Sequence, residues 1–199
     1  MTISFPEFVA ERFGGVLYKG AHEPNGKACL HEALNVYQGK DWSDDTGGTL
    51  DLRQLNDGPW SSDEARTTHM LPLGAIVLAW PTWSPKRRRE WMQRVAEGVI
   101  REIVPPALRR AAEVIPEKAP ALLAAATRCE IEGSRAAARA AARAAHAARA
   151  VLAAEAAVEA AEAARSAGAA VEAAEAARSA GAAESDEPLR ILCRLMVEA

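Results

Sequence analysis

Aromatic residues and cysteines are scarce in this chain of 199 residues: aromatics make up 5% of it, and there are three cysteines. Cys29, Cys129 and Cys193 are far apart and form no Cys-x-x-Cys pair, which argues against a disulfide framework and a zinc site. We therefore expect a cytoplasmic protein, because disulfides mark oxidising compartments. We expect neither a metal nor another cofactor.

Long apolar runs are also missing. No stretch approaches the roughly 18 apolar residues that a membrane span needs. The first residues include acids and a proline, unlike a signal peptide. The chain has no glycine-rich phosphate loop, no His-Glu-x-x-His and no Gly-x-Ser-x-Gly. These absences predict no membrane association and no recognisable catalytic pattern.

Alanine, in contrast, is concentrated in one tract: 29 of the 48 residues from Ala136 to Ala183 are alanine. Alanine is the best intrinsic helix former, so the tract is predicted to be helical without a core. Its charge is divided. Residues 134–149 hold four arginines and no acid, whereas residues 150–187 hold eight acids and two arginines.

Apolar periodicity and capping residues predict an all-α fold, or one nearly so. The predicted helices cover residues 7–13, 27–38, 61–80, 84–104, 107–115 and the chain from 121 onward. Gly15–Lys19 looks strand-like, and residues 71–80 are apolar enough to be the most buried element. We predict a compact helical domain over 1–127, an alanine-rich helical arm or hairpin over 128–184, and a short amphipathic helix over 185–199.

One motif lies between residues 22 and 44. It reads His, then Gly-x-x-Cys-Leu-x-Glu-Ala, then Gly-x-x-Trp-Ser-Asp, and consists of His22, Gly26, Cys29, Leu30, Glu32, Ala33, Gly39, Trp42, Ser43 and Asp44. The motif and the alanine-rich tail resemble an uncharacterised family of proteins from bacterial viruses and high-GC bacteria. Members of that family often continue with His-Pro-x-Cys, where this chain has Asp45-Thr46. The resemblance implies a viral or mobile-element origin and no particular activity.

Cys29 is the candidate nucleophile in this motif. It is predicted in the first turn of a helix, where the dipole lowers a thiol pKa, with His22, His31 or His69 as the base. The alternative is a small buried cysteine. His31 and Glu32 are candidates for an acid–base pair, but adjacent helix positions point apart, which favours surface groups.

The loop from Lys40 to Asp51, which overlaps the end of this motif, is rich in acids: Asp41, Asp44, Asp45 and Asp51. Carboxylates are calcium and magnesium ligands, but their spacing here does not match a calcium loop. Acids in such loops usually form turns and caps, and we predict that role.

Two groups of cations are candidate binding residues. The first begins a predicted helix and comprises Lys86, Arg87, Arg88, Arg89 and Arg94. Cations there oppose the helix dipole, so the cluster indicates either a patch for phosphate or acidic protein, or a solvated face paired with nearby acids.

The second group is a narrow stripe on the alanine tract: Arg135, Arg139, Arg143, His146 and Arg149. Pairing with the tract's own acids at 155, 159, 162, 172 and 175, nucleic-acid binding, and a solvated surface all remain open. No aromatic residue lies between the arginines, which disfavours base stacking.

These features predict a non-enzymatic macromolecule-binding protein. We expect a small accessory or inhibitory protein of a bacterial virus or mobile element, whose partner is a protein or a second copy of itself rather than nucleic acid. The alternatives are a Cys29-dependent hydrolase or transferase, and a structural protein that self-assembles through its arm.

Overall fold

The computed structural model describes residues 3–20, 22–24, 26–148 and 186–199, and the side chains of residues 146 and 148 lie outside that description. The described residues form helices, turns and irregular segments without a strand, so the predicted all-α fold is confirmed. The chain divides into two compact units, Met1–Arg88 and Arg89–Ala199, which we call the N-terminal and C-terminal units. The sequence-based division into 1–127, 128–184 and 185–199 stays a prediction.

Short helices make up the N-terminal unit. They are α1 Phe5–Phe13, α2 Leu30–Tyr37, α3 Arg53–Asp57, α4 Asp63–Met70 and α5 Leu73–Ala79, followed by a 3₁₀ turn at Trp80–Thr82. The strand-like prediction for residues 15–19 is wrong. This segment is irregular, and its backbone is held by a hydrogen bond from the Leu17 N–H to Thr67 Oγ1 at 2.8 Å.

Helix α2 lies in the core of this unit, since every residue from Leu30 to Asn35 is buried. The predicted helix over 61–80 is divided at Leu71 and Pro72 into α4 and α5. A proline ring cannot continue a helical hydrogen-bond ladder. The expectation that residues 71–80 form the most buried element is wrong, because Pro72 and Ala75 are exposed and Ile76 and Leu78 are half-buried.

Longer helices make up the C-terminal unit. They are α6 Pro85–Glu102, which begins at the end of the first unit, α7 Val104–Val114, α8 Ala119–Glu132, α9 Arg135–Ala148 and α10 Glu187–Glu198, with a 3₁₀ turn at Pro116–Lys118. Helical spacing predicts that Trp91, Val95, Val99 and Ile103 share one face of the helix over 84–104, and all four are buried in α6 or directly after it. The proline pair after it lies in the first turn of α7, where a missing N–H costs no helical hydrogen bond.

Alanines form much of the packing among α7, α8 and α9. The buried ones are Ala107, Ala111, Ala112, Ala125, Ala126, Ala137, Ala138, Ala141, Ala142 and Ala145. The first part of the alanine tract therefore packs within this unit. Residues 149–184 of the predicted arm lie outside the described residues.

The boundary between α8 and α9 is set by Gly133 and Ser134. Gly133 has a φ of 59°, a left-handed conformation that favours glycine, and its N–H donates to the Cys129 carbonyl. Ser134 Oγ then accepts the Ala137 N–H at 3.1 Å and caps α9. Arg101 donates to the carbonyls of Glu130, Ile131 and Glu132, so its charge lies at the negative end of α8.

Candidate functional site

Glu32 is the centre of the motif in the folded protein. Its side chain is buried at the start of α2, with a relative exposure of 1%. Oε1 accepts the His22 N–H at 2.6 Å, and Oε2 accepts the Cys29 N–H at 2.8 Å. Oε2 also lies 3.0 Å from His22 Nδ1. The expectation that Glu32 is a surface group is therefore wrong, because this carboxylate holds the 22–29 loop against α2.

The rest of the motif surrounds this loop. The Trp42 indole N–H donates to the His22 carbonyl at 2.5 Å, and the Trp42 ring packs edge-on against Phe13 at 5.9 Å. Asn35 Nδ2 donates to the carbonyls of Ser43 and Asp45. Side chains from one part of the motif thus bind backbone carbonyls of another part, and these hydrogen bonds fix the conformation of the loops around α2.

Cys29 is the N-cap of α2, and its Sγ accepts the Glu32 N–H at 3.5 Å. The residue is 3% exposed, and this burial raises the pKa of its thiol to about 12. The expectation that the helix start lowers this pKa is wrong, because loss of solvent outweighs the backbone donors and the nearby Glu32 charge raises the pKa further. A thiolate nucleophile is therefore disfavoured at this position.

Thiol labelling at pH 8 will be very slow in the folded protein. All three cysteines are free and buried, and burial raises the pKa of Cys129 to about 11 and that of Cys193 further. A pKa of about 12 leaves roughly one Cys29 thiol in ten thousand ionised at pH 8. A thiol reagent should label the three cysteines only at the rate of unfolding, and all of them at once in denaturant. Rapid labelling of Cys29 in the native state would contradict its structural assignment.

His31 is buried as well, with 2% exposure, so the surface expectation is wrong for this residue too. Its Nε2 accepts the Leu52 N–H at 2.9 Å, which requires a neutral ring protonated on Nδ1. Burial lowers the pKa of His31, against the attraction of Asp51 and Asp44. His31 therefore holds the segment before α3 and does not form an acid–base pair with Glu32.

Stability will fall in mild acid because of His31. In the unfolded chain this histidine takes up a proton near its ordinary pKa of 6.5, while the folded state keeps it neutral to lower pH. The unfolded state thus binds more protons below about pH 6.5, so the free energy of unfolding decreases as the pH falls from there. Urea unfolding from pH 7.5 to 5 measures this slope. His31→Gln, whose amide oxygen can accept the same N–H, should flatten it.

His69 and two of the four candidate loop acids, Asp45 and Asp51, have structural partners. His69 stacks on Trp60, with ring centroids 5.8 Å apart. Asp51 pairs with Arg53, and Asp45 Oδ1 accepts the Gly47 N–H. Within the described residues, no group of three or more His, Cys, Asp or Glu side chains is placed to hold a metal.

The basic cluster of α6 is partly occupied by contacts within the protein. The Arg87 guanidinium lies 4.3 Å from the centre of the Trp83 ring. Arg88 lies over Trp80 and donates to the carbonyls of Trp80 and Pro81 in the preceding 3₁₀ turn. Arg94 donates to the Ala199 backbone oxygen. Lys86 and Arg89 are exposed. At least Arg88 and Arg94 therefore stabilise their own units.

Helix α9 presents a different arrangement, which we call the α9 ridge: Arg135, Arg139 and Arg143. All three are exposed, and the opposite face of the helix is buried alanine. No ion pair within the described residues involves them. His146, Arg149 and the acids proposed for self-pairing fall outside the described side chains, so that pairing stays a prediction.

The arginines of the neighbouring helices are mostly partnered. Arg109 forms a double hydrogen bond with Glu130, Arg128 pairs with Glu132, and Arg194 pairs with both Glu102 and Glu198. The α9 ridge is therefore a solvent-facing row of positive charge beside helices whose charges are largely neutralised within the unit.

Several buried polar residues escaped the sequence analysis. Asn56 donates to the Tyr18 carbonyl at 2.9 Å and accepts the Leu30 N–H at 3.3 Å. Arg66 is 4% exposed, donates to the Asn56 carbonyl and pairs with Asp63. Arg66 and Asp63 are three residues apart, but the Tyr18 and Leu30 backbone groups that Asn56 binds are 38 and 26 residues away, so local spacing could not reveal the burial of Asn56.

The chain was compared with protein-family models, with curated proteins and with solved structures, and none of the three comparisons finds a match. The resemblance of the motif to a viral family therefore stays a prediction. Among the described residues, no helix is both long enough and apolar enough to cross a membrane.

Proposed function

We propose that this chain is a non-enzymatic binding protein that contacts a macromolecule through the α9 ridge. One observation carries the proposal: Arg135, Arg139 and Arg143 are exposed in a row, without an acidic partner among the described residues. Exposed arginines on a rigid helix can form charge-assisted hydrogen bonds to carboxylates or phosphates. The ridge is held rigid because the other face of α9 is packed.

The motif supports a non-enzymatic role. The Glu32 carboxylate binds two backbone N–H groups and lies beside His22, and the Cys29 thiol is buried. Groups committed to holding a loop are poor candidates for attacking a substrate. Three free cysteines agree with a cytoplasmic location. We propose an accessory or inhibitory protein of a bacterial virus or mobile element, and the viral part of this proposal rests on the resemblance of the motif, which is an analogy of family alone.

Replacing the ridge arginines together by alanine should remove partner binding and leave the fold intact. Three exposed ion pairs correspond to a loss of roughly tenfold to a hundredfold in affinity. The assay is quantitative affinity capture from a bacterial lysate at low salt, with circular dichroism as the check on folding.

The matched control removes three other exposed cations, Arg12, Arg110 and Lys118, which also lie on helical or turn segments. This control changes the net charge by the same amount and should capture partners as the unmodified protein does. Equal losses for both triple variants would mean that net charge, not the ridge, drives binding. Full capture by the ridge variant would refute the proposal.

A further inference from the structure

The ridge has a definite spacing. Successive arginines are four residues apart on one helix, which separates them by about 6 Å along the axis and turns each about 40° from the last. The three charges thus follow a gently inclined line about 12 Å long. Carboxylates at every fourth position of a second helix follow a line of the same pitch, so two such helices can match charge for charge.

The side chains beside the ridge are small. Ala136, Ala140 and Ala144 follow each arginine directly, and they are exposed or half-buried. The axes of packed helices are usually about 8–10 Å apart, depending on the side chains at the contact. Alanine at the contact lets the two backbones approach closely. A partner helix can therefore lie low enough for arginines to reach its carboxylates with two hydrogen bonds each.

A nucleic acid fits this surface less well. Neither the ridge nor the alanines between its arginines offer an aromatic ring for a base. The chain carries a net charge of −3, so its overall field does not attract a polyanion. Helix α9 also has no acidic residue in its first turn. A carboxylate of a partner near this turn would provide the negative charge that stabilises the positive end of a helix dipole.

We infer that the α9 ridge binds an acidic helix of another protein, with carboxylates one helical turn apart. This inference rests on the proposed function, since it names the partner of the same surface. The aligned, exposed Arg135, Arg139 and Arg143 supply the charge, and the alanines between them supply the close approach.

The test uses the full chain labelled with ¹⁵N at arginine and two synthetic alanine-based helical peptides. One peptide carries three glutamates at every fourth position, and its isomer carries the same glutamates distributed around the helix. The arginine Nε–H signals of the ridge, assigned through single Arg→Lys variants, report binding. The aligned peptide should shift these signals with an affinity roughly three- to thirtyfold above that of its isomer, because misplaced ion pairs are lost. The signal shifts and the difference in affinity between the two peptides should both vanish at about 0.5 M salt.

Equal affinity for the two peptides would overturn the helical match. Stronger shifts with a DNA oligonucleotide of equal charge would overturn the inference and leave the proposed function standing. Self-association of the chain in sedimentation that the ridge triple variant abolishes would also overturn it, since a second copy would be the occupant. If no probe shifts the arginine Nε–H signals of the ridge and the ridge triple variant still captures its partner fully, both the inference and the proposed function are overturned.

Discussion

Glu32→Ala will lower the free energy of unfolding by about 2–5 kcal/mol, because two N–H groups around a buried carboxylate lose their acceptor and each such loss costs roughly 1–3 kcal/mol. The substitution leaves the N–H groups of His22 and Cys29 without an acceptor, and it also removes the carboxylate beside His22 Nδ1. Each buried donor that loses its acceptor carries a desolvation penalty. The loop that Trp42 anchors at the His22 carbonyl should open as well.

The chain offers a matched control for this change. Helix α1 begins with the same kind of capping box, in which Glu7 accepts the Ser4 N–H and Ser4 accepts the Glu7 N–H. That box is solvent-exposed, so Glu7→Ala should have a far smaller effect. Urea unfolding followed by tryptophan fluorescence compares the two variants, and hydrogen exchange at His22 and Cys29 locates the change. Similar losses for both would contradict the central position of Glu32.

Leu192→Ala will lower the stability of the C-terminal unit by about 2–5 kcal/mol. Leu192 is fully buried on α10, on the same stripe as Leu189, Leu195 and Met196. The α10 stripe packs in the C-terminal unit, where the Trp91 indole N–H donates to the Met196 carbonyl at 3.0 Å. Removing the leucine leaves a cavity beside packed groups that relax only partly.

Val197 lies on the same helix and serves as the comparison. It is 51% exposed, so Val197→Ala should change stability by no more than about 0.5 kcal/mol. Thermal or urea unfolding with a probe in the C-terminal unit measures both. If Leu192→Ala is as mild as the Val197 change, α10 is not part of the core of its unit.

Local sequence patterns predicted the helices and their apolar faces. The stripe through Trp91, Val95 and Val99 followed from helical spacing, and so did the stripe on α10. Gly133 and Ser134 offered either a break or a fresh cap within the stretch predicted as helix from 121 onward, because glycine tolerates a left-handed backbone and serine caps a helix, and α8 and α9 are in fact separated there. These features depend on residues close together in the chain.

The polar interior could not be predicted in this way. Burial of Glu32 depends in part on a backbone donor ten residues earlier, the His22 N–H, and burial of His31 depends on an N–H at Leu52. Arg101 contacts carbonyls about thirty residues further along the chain. The wrong prediction of a lowered pKa for the Cys29 thiol has the same origin. The start of a helix favours a lower thiol pKa, but burial by surrounding segments removes solvent and raises it.

We propose that two regions have separate roles: the motif around Glu32 holds the fold, and the α9 ridge binds the partner. The most direct measurement is partner capture by three folded proteins side by side: the unmodified chain, Cys29→Ser, and the chain with Arg135, Arg139 and Arg143 replaced by alanine. We predict that Cys29→Ser captures the same partner as the unmodified chain and that the ridge variant captures little or none. Loss of capture by folded Cys29→Ser, with capture kept by the ridge variant, would contradict the account.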